Sequence, residues 1–153
     1  MTCNACGGKG VIQALGTLIK CPVCNGTGTA PDPGLFFIYE GGPFVLAGNA
    51  VQNGNSIQVL DKDFRWQFAV AISTGAFTVF IRDSQRKRPF SNQAVHSSNI
   101  FGTAQNPFPV LVPWTFRKRG SILFDLADIS GAGNTIRVAF IGVEADAADY
   151  STA

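Results

Sequence analysis

The chain has 153 residues, of which 46% are hydrophobic and 14% charged, and its formal net charge is +2. This length and composition exclude a disordered chain and predict one well-buried domain with room for a small additional module. The small net charge argues against strong attraction to nucleic acid, and no apolar run approaches the roughly 18 residues that span a bilayer. Because the first residues also have no signal-peptide pattern, we expect a soluble protein without a membrane partner.

All four cysteines lie near the amino terminus, in two copies of the pattern Cys-x-x-Cys-x-Gly-x-Gly. Each Cys-x-x-Cys turn directs two sulfurs at one point, so two turns complete a tetrahedral site that suits zinc. The glycines allow the backbone to curl around the metal with positive φ. A four-sulfur site has no open coordination position, so the zinc is expected to be structural. The predicted Zn²⁺ ligands are Cys3, Cys6, Cys21 and Cys24.

Two disulfides or a redox centre would use the same cysteines. A thioredoxin-like motif, however, opens a helix after a strand, and the sequence indicates neither. The apolar stretch from Val11 to Ile19 is too short for its own core and predicts a ribbon or hairpin that packs on the metal site. Four thiolates and one Zn²⁺ bring the formal charge from +2 to about zero, and the thiols require a reducing compartment. The doubled motif resembles half of the cysteine-rich module of DnaJ-type chaperones, which implies one zinc site.

The composition changes after the cysteine motifs. Thr27 to Gly34 contains two prolines and two glycines, which block both helix and sheet. We therefore predict a zinc module at 1–30, a linker at 31–34, a β-domain at 35–145 and a tail at 146–153.

The β-domain has no amphipathic helix pattern and contains repeated strand-like runs. Alternation predicts a buried strand face at Phe64, Trp66, Phe68, Val70 and Ile72. A turn at Ser73 to Ala76 predicts a hairpin with the next strand, in which Phe77, Val79 and Ile81 are in phase. We expect Asp83 to Trp114 to be an irregular excursion with short edge strands.

Two further strands are predicted at 121–127 and 135–143, the latter with Ile136, Val138 and Phe140 facing inward. About eight strands and 13 phenylalanines predict an all-β fold, an antiparallel β-sandwich of jelly-roll type.

Between about Trp66 and Gly142, short segments resemble a β-sandwich domain found in structural proteins of tailed-bacteriophage virions. They include Ile81-Arg-Asp-Ser, Arg88-Pro-Phe-Ser-Asn92 and Ile100-Phe-Gly-Thr103. The resemblance implies a virion component without an active site, assembled in the host cytoplasm. A capsid decoration or minor capsid protein is the favoured interpretation, with a major capsid or neck protein as partner. Low charge and many aromatic residues further suggest a homo-oligomer, and we expect a trimer.

Three alternatives stay open at this point. A neck or tail-joining virion protein would have much the same sequence. The cysteine repeats alone would suit a chaperone-like or adaptor module. A zinc-containing nucleic-acid binder would be expected to have a basic zinc module, whereas Lys9 and Lys20 are its only positive charges.

No catalytic group is indicated. His96 is the only histidine, and without a nucleophile or metal ligand near it in sequence it is interpreted as a surface or loop residue. Asp61 with Asp63, and Asp125 with Asp128, are interpreted as strand-end and turn carboxylates, with a hard-metal site as the alternative. We therefore predict that the protein is not an enzyme.

Two basic runs are the candidate partner-binding residues: Arg86, Lys87 and Arg88, and Arg117, Lys118 and Arg119. Such charges can act as gatekeepers that keep neighbouring strands from associating. They can equally contact an acidic partner, and the balanced overall charge favours a protein surface over packaged DNA.

Overall fold

The computed structural model describes residues 7–9, 11–14, 17–20 and 35–145. Strands β1 (Val11–Ala14) and β2 (Thr17–Lys20) form an antiparallel hairpin in which Val11 pairs with Lys20. The hairpin predicted between the two cysteine pairs is therefore confirmed. Gly8 of the first motif has the predicted positive φ, 81°. All four cysteines, the linker at 31–34 and the tail at 146–153 lie outside the described residues.

Leu35–Glu144 form one compact unit built of strands. Their bounds are β3 (Leu35–Leu46), β4 (Val51–Gln58), β5 (Asp63–Ser73), β6 (Phe77–Asp83), β7 (Arg88–Pro89), β8 (Val95–His96), β9 (Phe108–Phe116), β10 (Ser121–Asp128) and β11 (Asn134–Ala145). One antiparallel sheet has the order β4-β10-β6-β7, with β8 also paired to β6, and the other has the order β3-β11-β5-β9. Apart from one turn of 3-10 helix at Ser97–Asn99, the described residues form no helix, so none of them supplies an apolar helix of membrane-spanning length.

The two sheets pack face to face around one hydrophobic core, which confirms the predicted all-β sandwich. Aromatic rings from both sheets meet there: Phe124 of β10 lies 6.1 Å from Phe140 of β11 and 5.5 Å from Phe44 of β3, measured between ring centroids. The residues predicted to face inward on β6 and β11 are all buried. Burial of aromatic and branched side chains is the main favourable contribution to the stability of such a sandwich.

The strand pairing is nested in sequence, so that the first strand of the domain pairs with the last and the inner strands pair in turn. β3 pairs with β11, β4 with β10, β5 with β9, and β6 with β7. Consecutive long strands consequently alternate between the two sheets. The predicted hairpin of β5 and β6 is therefore wrong, because Ser73 to Ala76 carries the chain from one sheet to the other. Asn134 holds this crossing: its side chain accepts a hydrogen bond from Gly75 N at 3.0 Å and donates one to Gly75 O at 2.8 Å.

The prediction that five alternate residues of β5 are buried fails after Trp66. Phe68 and Ile72 are 39% and 71% exposed, whereas Ala69 is fully buried. The register against β9 shifts between Trp66 and Phe68, where Val110 to Pro113 lie opposite Gln67 alone. The buried side of β5 passes from Trp66 to Ala69 at this same place, so residues that were in phase before it point to the other face after it.

The excursion from Asp83 to Trp114 contains the predicted short edge strands, β7 and β8, both paired with β6. Its last part is more regular than predicted, because residues from Phe108 onward belong to β9. Pro109 and Pro113 lie in β9, an edge strand, where a missing amide donor is tolerated.

Candidate functional site

The two basic runs predicted from the sequence lie side by side. Arg86 and Lys87 lie between β6 and β7, Arg88 opens β7, and Arg117–Arg119 lie between β9 and β10. The side-chain amide of Gln85 donates to the carbonyl oxygen of Lys118 at 3.3 Å, and Ser84 N donates to Ser121 O at 3.1 Å. The six basic side chains therefore share one surface, which we call the basic end.

A buried carboxylate fixes the first turn of the basic end. Asp83, the last residue of β6, is 2% exposed. Its Oδ1 accepts hydrogen bonds from Gln85 N at 2.9 Å and Arg86 N at 3.2 Å, and its Oδ2 accepts one from Trp114 Nε1 at 2.9 Å. Because all these bonds go to one acidic side chain, the turn and the indole ring are held in a single arrangement.

Asp63 fixes the second turn of the basic end, at Arg117–Arg119, in the same way. It opens β5, is 2% exposed, and accepts hydrogen bonds from Arg117 Nη1 at 2.7 Å and Lys118 N at 2.9 Å. The interpretation of Asp63 as a strand-end carboxylate is confirmed. Both basic turns are thus held by buried carboxylates whose oxygens accept hydrogen bonds from groups of the same protein.

Two arginine guanidinium groups lie over the ring of Trp114. The guanidinium carbons of Arg86 and Arg88 are 4.7 Å and 4.9 Å from its ring centroid, and Phe90 packs edge-on against it at 5.3 Å. A stacked guanidinium retains N–H groups at its edge, which can bind a carboxylate in a bidentate manner. Sequence reasoning missed this role of Trp114, because only the pairing of β9 brings the ring next to β7.

The positive charge of the basic end is only partly balanced. All six cations are exposed. Arg117 is paired with Asp63, while Arg119 lies 4.0 Å from Asp61 with the two side chains 79% and 92% exposed, a geometry that contributes little. Within the described part of the chain, no ion pair is formed by Arg86, Lys87, Arg88 or Lys118. The surface therefore offers cations to an external anion.

His96 is an exposed residue, as predicted. Its Nδ1 lies 2.8 Å from Ser98 Oγ and accepts a hydrogen bond from Ser98 N, so the ring caps the short 3-10 helix. Asp125 is a structural carboxylate that pairs with Arg82 at 2.7 Å and accepts a hydrogen bond from Gly54 N at 2.8 Å. Over residues 35–145 and the short amino-terminal stretches described, no three His, Cys, Asp or Glu side chains form a group that could hold a metal ion.

Asp128 is the turn carboxylate that the sequence predicted, at the end of the sandwich far from the basic runs along the strands. It accepts hydrogen bonds from Ser130 Oγ at 2.6 Å, Asn49 N at 2.8 Å and Gly131 N at 3.0 Å. The bond from the Ser130 hydroxyl and then that from the Asn49 amide hold the pKa of Asp128 well below its usual range. This carboxylate joins two turns and has no oxygen left for chemistry.

No protein-family model, no curated protein and no solved structure matches the chain. The fold and the basic end are therefore the features of the chain that bear on its function.

Proposed function

We propose that the protein is a non-enzymatic structural component of a tailed-phage virion, a capsid decoration or minor capsid protein that attaches through its basic end. The observation that carries this proposal is the convergence of six exposed cations on two rigid turns, with Arg86 and Arg88 stacked on Trp114. Side chains that are already ordered lose less entropy on binding. The partner that fits is a carboxylate-rich surface of a major capsid or neck protein.

The proposal also assigns the sandwich to the jelly-roll type. Pairing of β3 with β11, β4 with β10, β5 with β9 and β6 with β7 is the order produced when a hairpin of eight strands is rolled up, with β8 as an extra edge piece. Jelly rolls occur repeatedly in viral capsid proteins, which agrees with the resemblance to virion domains. Because a fold alone does not determine function, the proposed partner is inferred from the basic end.

An acidic protein is favoured over packaged DNA as the partner. The formal net charge is only +2, so the positive potential is local to one end of the domain. DNA binders extend basic side chains along a groove or a stripe and gain affinity from many phosphates. Two compact turns with stacked arginines suit a small group of carboxylates better.

The copy number per particle tests the proposed function. Quantifying the chain against the major capsid protein in purified virions should give many copies per particle for a decoration protein. A single ring of copies would indicate a neck protein, and complete absence from the particle would contradict the structural role and favour the adaptor hypothesis.

We propose in addition that Cys3, Cys6, Cys21 and Cys24 bind one structural Zn²⁺. Two features of the described residues support this assignment. The β1–β2 hairpin pairs Val11 with Lys20 at its open end, where the two cysteine motifs are attached in sequence. Gly7 and Gly8, directly after Cys6, have φ values of 55° and 81°, which suit a tight turn beside a metal site.

Metal analysis of the purified protein tests the zinc proposal. We expect close to one zinc per chain, and its loss in Cys21→Ser. Because metal binding supplies the folding free energy of such a module, the variant should lose the amino-terminal structure while the sandwich unfolds at an unchanged temperature. A native protein without metal, or one cross-linked by disulfides, would contradict the assignment.

A further inference from the structure

The outer face of the sheet β3-β11-β5-β9 carries an apolar groove of about 350 Å³. Its apolar lining comprises Ile38, Val70, Ile72, Ala104, Ala139 and Ile141. Ile72 is 71% exposed and Ile38 is 46% exposed. An exposed ion pair, Glu40 with Arg137 at 3.2 Å, lies beside this lining. An exposed apolar groove with polar groups at its rim is a feature that protein–protein contact sites share.

A second apolar feature lies on the edge strand of the same sheet. In β9, Val110 to Pro113 bulge out opposite Gln67, which places Leu111 and Val112 at the surface with 91% and 79% of their area exposed. We call these two residues the knob. No other part of the described chain covers the knob, so it does not fill the groove of its own molecule.

The knob and the groove match in chemistry and in size. Both are aliphatic. A cavity of about 150 Å³ holds one benzene molecule, so a groove of about 350 Å³ has room for a leucine and a valine side chain. Leu111 and Val112 are the most exposed of the large hydrophobic side chains described, so the occupant we assign to the groove is the knob of a second copy.

We propose that Leu111 and Val112 of one copy insert into the groove of the next copy. Because the knob and the groove are different surfaces of one chain, the contact is head-to-tail and generates a closed ring or an open array, not a two-fold dimer. This inference deepens the proposed function and rests on it, since virion subunits work in rings and shells.

The area of the contact favours an assembly with repeated contacts. Exposed aliphatic side chains of the knob and groove offer on the order of 300 Å² of apolar surface, taking roughly 100 Å² for each fully exposed side chain. Because about 57% of an ordinary interface is apolar, one contact would bury about 500 Å², well below the roughly 1,200 Å² of a stable dimer. In a ring each copy makes two such contacts, and the linked contacts reinforce one another.

Sedimentation of the full-length protein at concentrations up to about 1 mM tests the inference. The average mass of the wild type should rise with concentration. The knob variant Leu111→Asp/Val112→Asp and the groove variant Ile72→Asp should each associate at least tenfold more weakly. A mixture of the two should associate more strongly than either variant alone, because the intact groove of the knob variant can still take the intact knob of the groove variant. Circular dichroism verifies that both variants fold, and Ile129→Asp, at an exposed site outside both features, is the control.

Three outcomes would overturn the inference: a wild type that stays monomeric throughout, a knob variant that associates like the wild type, or a mixture of variants that associates no more strongly than either variant alone. As a second measurement, a photo-crosslinking amino acid at position 111 should label the peptides around Ile72 or Ile141 of another copy, and labelling elsewhere would contradict the contact. Neither measurement involves the basic end, so failure here leaves particle attachment to be tested separately.

Discussion

At both ends of the sandwich a buried aspartate accepts hydrogen bonds from the neighbouring turns, but the two ends expose different side chains. At the basic end, Asp63 and Asp83 accept hydrogen bonds from the turns beside them, and at the other end Asp128 does the same for the turns at Asn49 and Ser130. The turns around Asp128 consist of small residues such as Gly48, Gly131 and Ala132, whereas those around Asp63 and Asp83 bear six long cations. A buried carboxylate at a strand end is thus a structural element of this fold. The two ends differ in the side chains that their turns expose, and this difference determines which end can bind a partner.

The largest effect is expected from removing the carboxylate beneath Trp114. Asp83→Ala leaves the indole N–H and two turn amides without their acceptor, and should lower the free energy of unfolding by about 3 kcal/mol. It should also release Arg86 and Arg88 from their fixed stack. Urea denaturation measures the first effect. Asp61→Ala, which removes a 92% exposed carboxylate at the same end, should change the stability by less than about 0.5 kcal/mol.

The opposite end should respond to pH through Asp128. The folded-state pKa of this group is lowered, so its contribution to stability is fully present above the unfolded pKa of about 3.9 and is lost as the pH falls through the folded pKa. Asp128→Asn should therefore melt below the wild type at pH 7, and the gap should narrow below about pH 4. A gap that is the same at pH 7 and pH 3 would show that the charge of Asp128 does not stabilise these turns.

These contrasts also show what the sequence predicted and what it left open. Alternation over β6 and β11 identified the buried residues, because each strand keeps the same side chains on the core. In β11 this holds even at the register shift against β3 between Ile136 and Val138, where the additional residue lies in β3. Over β5 the same alternation failed at Phe68, at the place where the register against β9, a strand some forty residues later in the chain, shifts. The crossing at Ser73 to Ala76 was interpreted as a hairpin, since a turn between two half-buried strands has the same pattern whether it stays in one sheet or changes sheets.

The candidate site was likewise only half visible in the sequence. Both basic runs were evident, but their meeting at one surface results from the turn at Gln85 lying next to Lys118. The stacking of Arg86 and Arg88 on Trp114 depends on strand pairing and on the position of Asp83, neither of which a local pattern contains.

The most direct test of the account is the attachment of purified protein to virus particles from which it has been stripped. Arg86→Glu/Arg88→Glu should lower the affinity for such particles by at least tenfold, and attachment of the wild type should weaken with added salt, because the contact is an exposed charge pairing. Ile129→Asp, which adds a negative charge at an exposed site outside the basic end, the knob and the groove, is the control and should attach normally. Attachment of the double variant at the affinity of the wild type would contradict the assignment of the basic end as the partner-binding surface.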